Sequence, residues 1–279
     1  ANPVPQQLAQ LGFIVIQTGN RGGSPQRSQE YQGYGYYNLR DYALADKKAG
    51  IEQLAARHAY IDLNRVGIYG HSGGGFLTAA AMLLPPYNEF FKVGVSESGN
   101  HDNNIYNENW SEQYHGLKVV AKAERGGRAG GSGRAGESGG AGSPGGPRNA
   151  DGDVVARRDA VGLANVAALV DGSIGTDDTT NVFQIHVPTT VELAGNLKGN
   201  LLLETGDMDN NVHPANTIRL VQALIKANKN FDLLVLPNRN HGFGNEPYVT
   251  RRTWDYFVQN LLGVTPPDGF EIHLPQQDR

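Results

Sequence analysis

Read for its hydrophobic and polar positions, the chain alternates between two periods. Phe13–Gln17 is a short, β-branched apolar run bounded by glycines, which predicts a buried strand. Leu44, Ile51, Leu54 and Ala55 then recur at helical spacing, with Asp46, Lys47 and Lys48 outward and Asn38 or Asp41 placed to cap. Val66–Tyr69 predicts a second strand and residues 74–84 a helix, stopped by Pro85-Pro86. Val93–Ser96 predicts a third strand, with helical spacing over Tyr106–Tyr114. After a long break, Leu201–Glu204 reads as a strand and Pro214–Ala227 as a helix with Ile218, Leu220, Val221, Leu224 and Ile225 on its apolar face. Phe231–Leu236 is a last strand and Tyr248–Leu262 a last helix. Before all of these, residues 6–11 form a short helix. Strands alternating with helices imply an α/β fold, a mainly parallel sheet with helices on both faces.

The break has a different character. Residues 121–153 hold runs such as Arg125-Gly-Gly-Arg-Ala-Gly-Gly, and no hydrophobic period survives there. Such a stretch buries too little apolar surface to offset its ordering entropy. We therefore expect one domain over 1–279 with a flexible Gly-rich insertion at about 118–182. Much of the chain's high glycine count, 37 of 279 residues, lies in this stretch. The net charge is −4. Residues 118–158 carry eight Lys/Arg against four Asp/Glu, so +4 sits there and −8 elsewhere. Neither value creates a field that gathers nucleic acid, and the basic stretch lacks interleaved aromatics. No apolar run is long enough to span a bilayer. There is no cysteine, so thiolate metal sites and disulfides are excluded.

Chemistry enters at Gly70-His71-Ser72-Gly73-Gly74. It fits G-x-S-x-G between a predicted strand and a predicted helix, the setting of a nucleophile elbow. Small residues let strand and helix approach, so that Ser72 projects above the sheet edge and the Gly73 N–H faces a developing oxyanion. A serine nucleophile needs a base and an orienting acid. The strand 201–204 runs into a loop holding Asp207 and Asp209, both candidates for the acid. The strand 231–236 runs into a loop holding His241. The order Ser, Asp, His, each at the carboxyl end of a strand, is that of an α/β-hydrolase triad. His58, His101, His115, His186, His213 and His273 show no metal-ligand spacing, and no P-loop is present, so we expect neither metal nor cofactor.

Four blocks in order, Gly70-His-Ser-Gly-Gly-Gly75, Glu97-Ser-Gly-Asn-His-Asp102, Gly206-Asp-Met-Asp-Asn-Asn-Val-His213 and Asn240-His-Gly-Phe243, resemble the catalytic domain of the prolyl oligopeptidase family of serine peptidases, its dipeptidyl peptidase IV-like branch above all. The resemblance spans about residues 6–116 and 183–262. It implies an α/β-hydrolase and cleavage of short peptides, often after proline. It selects Asp209 over Asp207 as the acid, gives Asn211 a contact to the substrate backbone, and sets Tyr106 and Trp110 along a proline pocket, although the family more often has Tyr at the latter. Family members also carry an N-terminal β-propeller, extra first strands and a Tyr that is a second oxyanion donor, none of which this sequence contains. The resemblance thus implies a piece of a longer peptidase, weakly active or inactive alone. A carboxylesterase uses the same triad and stays open. A homodimer is among the assemblies to test. A periplasmic or secreted location would require a signal peptide upstream, since Ala1–Gln6 does not read as one.

Overall fold

The computed structural model describes residues 4–115, 118–121, 181–184 and 187–272. The chain divides into two units, residues 1–116 with 185–279, and residues 117–184. In the first unit four strands form a wholly parallel sheet in the order β1 (Val66–His71), β2 (Phe91–Glu97), β5 (Asn200–Gly206), β6 (Asp232–Leu236). The second unit contributes one antiparallel pair, β3 (Lys118–Ala121) with β4 (Asn181–Gln184). The ends of the expected insertion are thus strands, while the rest of it lies outside the described residues, as do His186 and His273.

Alternation along the strands sorts side chains onto two faces. Leu201 and Leu203 of β5 join a core with α3 (Leu44–Arg57), α4 (Gly73–Leu83) and α7 (Ala215–Lys226), as does Phe91 at the start of β2, where the register to β1 shifts. Val93, Val95 and Leu202 face the other way, onto Leu8 of α1 (Val4–Gln10) and onto Tyr256 and Phe257 of α8 (Pro247–Phe257). Helices therefore cover both faces, as a parallel sheet requires.

Several expectations change in detail. Phe13–Gln17 has no regular structure and no ladder partner among the described residues, so it is not a strand of the sheet. Its apolar positions Phe13 and Val15 instead pack against the α8 core, which explains the hydrophobic run. Neither Asn38 nor Asp41 caps α3; a chain of turns leads in, and Ala43 occupies the cap position. On α7, Leu220 and Leu224 are buried, but Ile218 and Ile225 point to solvent. Helical periodicity identified the helix and overestimated the width of its buried stripe. The last helix ends at Phe257 and continues as a wider turn to Leu262, closed by Gly263 in the left-handed region.

Candidate active site

The carboxyl ends of β1, β5 and β6 carry the loops on which the candidate chemistry sits. At the end of β1 the chain reverses directly into α4. Ser72, the residue between them, holds φ 58° and ψ −121°. That conformation is costly for a residue with a Cβ and persists only where surroundings impose it. Here they do. The Ser72 N–H donates to the Glu97 carbonyl at 2.8 Å, and its own carbonyl accepts from the Phe76 N–H at 3.0 Å. A Cβ on Gly70 would lie 2.5 Å from the backbone of Gly74, and one on Gly75 would lie 2.6 Å from the Glu97 carbonyl oxygen. Strand and helix touch through backbone, so glycine is needed at both positions. Gly73 is the first residue of α4, and its N–H is one of those a helix start leaves without an internal acceptor.

The other two loops are laced together. The Asp207 N–H donates to the Leu236 carbonyl, Met208 N–H to Arg239 O, and Asn210 N–H to Asn240 Oδ1. Inside this lacing Asp209 is buried, with 0% of its side chain exposed. Its Oδ1 accepts from the Asn211 and Val212 N–H groups, both at 2.9 Å. Its Oδ2 meets His241 Nδ1 at 2.7 Å. The carboxyl group thus accepts two backbone N–H bonds and is aimed at one imidazole nitrogen, Nδ1, leaving Nε2 turned away from it. Asp207, by contrast, is exposed and its carboxylate accepts only a long bond from the Arg239 N–H at 3.4 Å.

The elbow and the His241 loop meet through His71. Its Nε2 lies 2.7 Å from the His241 carbonyl oxygen, and the two rings are 4.5 Å apart. Among the described residues no hydrogen bond joins Ser72 Oγ to His241, although their neighbours are in contact. Bonds of this kind in uncomplexed sites are often long and tighten when substrate binds.

Tyr106 and Trp110 pack edge to face, 5.6 Å between centroids, and Trp110 continues onto Tyr114 at 5.4 Å. The Tyr106 hydroxyl donates to Asn211 Oδ1 at 2.8 Å, so the aromatic pair joins the acid loop two residues from Asp209. The segment carrying them is pinned from behind. Asp102 is buried and pairs with Arg219 of α7 at 2.8 Å, and Asn216 accepts from the Asp102 N–H. His101, fully buried between Ser96 and Thr190, has its pKa lowered by burial to about 3 and stays neutral. It packs the turn. No group of His, Asp and Glu suited to a metal occurs among the described residues.

Motifs alone give Glu97 a place in a block but no role, and they miss Glu204. Glu204 stands inside the buried strand β5, next to Leu203, and that charged residue in an apolar run was the available signal.

Comparison with known proteins decides the family. The prolyl oligopeptidase family matches residues 2–127 and 177–263. The chain belongs to the prolyl oligopeptidase family. It is 33% identical over 109 residues to human dipeptidyl peptidase 8, a match covering 39% of this chain and 12% of that protein. Among solved structures, a protein of Bacteroides ovatus described as a dipeptidyl aminopeptidase IV superposes with a TM-score of 0.64 at 23% identity, covering 94% of this chain and 28% of the other. Porphyromonas gingivalis dipeptidyl peptidase 4 gives 0.56 at 21%, over 87% and 26%. These likenesses bear out the α/β-hydrolase fold and membership of a family of serine peptidases. The matched part is about an eighth of the human relative's length.

Proposed function

We propose that this chain carries the catalytic centre of a serine peptidase that removes short units from peptides, in the manner of a dipeptidyl peptidase. The observation that carries the reading is the buried Asp209 carboxylate bonded to His241 Nδ1, on loops beside a Ser72 held at positive φ. In this reading His241 Nε2 takes the proton of Ser72 Oγ as the oxygen attacks the scissile carbonyl. Asp209 stabilises the imidazolium without taking its proton. The tetrahedral oxyanion is received by the Gly73 N–H at the start of α4, where the helix dipole adds to the bond. His241 returns the proton to the departing amine, leaving an acyl group on Ser72. Water, deprotonated by the same histidine, then releases the acid and restores Ser72.

Tyr106 and Trp110 offer aromatic faces suited to a flat, apolar ring such as that of proline, while the Asn211 amide suits a peptide carbonyl. A peptide substrate fits these groups better than a simple ester, which has no use for the Asn211 contact. The test is hydrolysis of Gly-Pro-p-nitroanilide and of p-nitrophenyl acetate by the chain, alongside labelling by a fluorophosphonate. Labelling at Ser72 with turnover of the prolyl amide supports the reading. Turnover of the ester with none of the amide replaces it with an esterase, and absence of labelling in folded protein removes it.

A further inference from the structure

A buried carboxyl group, Glu204, and a half-buried one, Glu97, with 17% of its side chain exposed, lie beneath the His241 loop, and the mechanism above uses neither. Glu97 and Glu204 are direct partners in the β2–β5 ladder, and His71 is the partner of Glu97 in the β1–β2 ladder. Parallel partners point to the same face, so His71, Glu97 and Glu204 form one row across the end of the sheet, on the face that α8 covers. Glu204 is buried, and neither of its carboxylate oxygens has a hydrogen-bond partner. Glu97 Oε1 lies 3.8 Å from His71 Nε2, the same nitrogen that faces the His241 carbonyl. The backbone of Gly244, three residues beyond His241, packs so closely on the Glu97 carboxylate that a Cβ there would sit 2.3 Å from Oε2.

We propose that Glu97 and Glu204 share one proton, and that the single negative charge left on the pair acts through His71 as a positioning group for the His241 loop. The consequence for turnover rests on the peptidase reading; the pairing itself stands on the strand register. Two adjacent carboxyl groups removed from water do not both ionise, because each charge lacks hydration and repels the other. With one proton between them, one of the two unpartnered Glu204 oxygens gains a role as donor or acceptor toward Glu97. The remaining charge favours a proton on His71 Nε2, which makes that nitrogen the donor to the His241 carbonyl. The His241 backbone is then held while its ring is held by Asp209. The other charged groups acting on the pair are His241 itself and Arg252 of α8. Burial, first, and then the neighbouring Glu97 push the Glu204 carboxyl up to about 8, against a weaker opposing pull from Arg252. Burial raises Glu97 as well, opposed by His71 and by the Gly244 backbone.

The test uses protein labelled with 13C at glutamate carboxyls, with Glu97→Gln and Glu204→Gln as variants that keep size and shape. The Glu204 resonance is expected to titrate far above the ordinary carboxylate range, and its midpoint to fall in Glu97→Gln. Amide exchange over residues 241–244 is expected to speed up in Glu97→Gln. In turnover of the prolyl amide, kcat of Glu97→Gln drops about tenfold or more while KM stays close to that of the parent, as misplacement of a base requires. A Glu204 resonance in the ordinary range, or exchange at 241–244 unaltered in Glu97→Gln, overturns the proposal. Loss of the peptidase reading looks different. The parent then fails to cleave the amide at any pH, while carboxyl titration and amide exchange still judge the pair.

Discussion

The Ser72 turn and the Asp209–His241 loops lie along one edge of the same sheet but are held by different forces. The turn is held by contact. Gly70 and Gly75 bring backbone against backbone, and no side chain is needed to keep Ser72 at φ 58°. The loops are held by hydrogen bonds across about thirty residues of sequence, Asn210 to Asn240 and Met208 to Arg239, closed by the bond from Asp209 to His241. A close-packed turn tolerates almost no added volume. A laced loop tolerates change at its exposed positions and fails when a buried polar group loses its partner. The first half is chiefly a close backbone fit, tied to β2 by the bond from the Ser72 N–H to the Glu97 carbonyl, and the second is held by hydrogen bonds throughout.

Substitutions can separate the two halves. The largest expected effect is Ser72→Ala, which should abolish fluorophosphonate labelling and cut kcat by about 10⁶-fold without unfolding the chain; retained labelling at another residue would remove Ser72 from the site. Next comes Asp209→Asn, which keeps the packing but loses the anion that sets the imidazole tautomer. It should cost about 10⁴-fold in kcat, whereas Asp207→Asn changes turnover by less than about threefold, since the Asp207 carboxylate is exposed. Equal losses in both variants would show that the lacing, not the buried acid, matters. Gly70→Ala attacks the steric half. The added methyl has backbone 2.5 Å away, so a stability loss of about 1–3 kcal/mol, seen as a lower melting temperature, is expected. An unchanged melting temperature would show that strand and helix can part. A smaller loss than those of Ser72→Ala and Asp209→Asn is that of Tyr106→Phe, which removes the bond to Asn211 at a cost of about 1 kcal/mol, read as a several-fold rise in KM with kcat retained.

Acidity offers one further probe. Because burial raises Glu204 above its unfolded value, the folded state gives up stability as pH climbs from the ordinary carboxylate range to about 8. Below that window the group is neutral in both states. The melting-temperature difference between Glu204→Gln and the parent should therefore be small near pH 4 and grow in favour of the variant up to about pH 8. A difference that stays constant across the window would place Glu204 in water.

The steric half was readable from sequence, since G-x-S-x-G between an apolar strand and an apolar helix leaves few alternatives for the chain. The polar half was readable only as an order of residues. Asp207 and Asp209 flank Met208 in one loop, and spacing alone does not say which is buried; the resemblance to a family selects Asp209, and in the structure Asp209 is the buried one, with its Oδ1 on two backbone N–H groups. Phe13–Gln17 differs from the strand it predicts because an apolar run that packs only some of its side chains on a helix has the same pattern as a paired strand. Ile218 and Ile225 were misread because periodicity reports the phase of a helix face and not how far its neighbours reach around it.

By itself, then, the sequence determined the alternation of parallel strands and helices, the sharp turn at Ser72 and the chain order of serine, acid and histidine, because each depends on residues close together along the chain. Only the tertiary structure decided that Asp209 is dry and saturated while Asp207 is wet, that Tyr106 reaches Asn211, and that His71, Glu97 and Glu204 stand in one row under His241. Those facts depend on strand register and on which loops share a sheet edge, and both are set by packing between segments far apart in the chain.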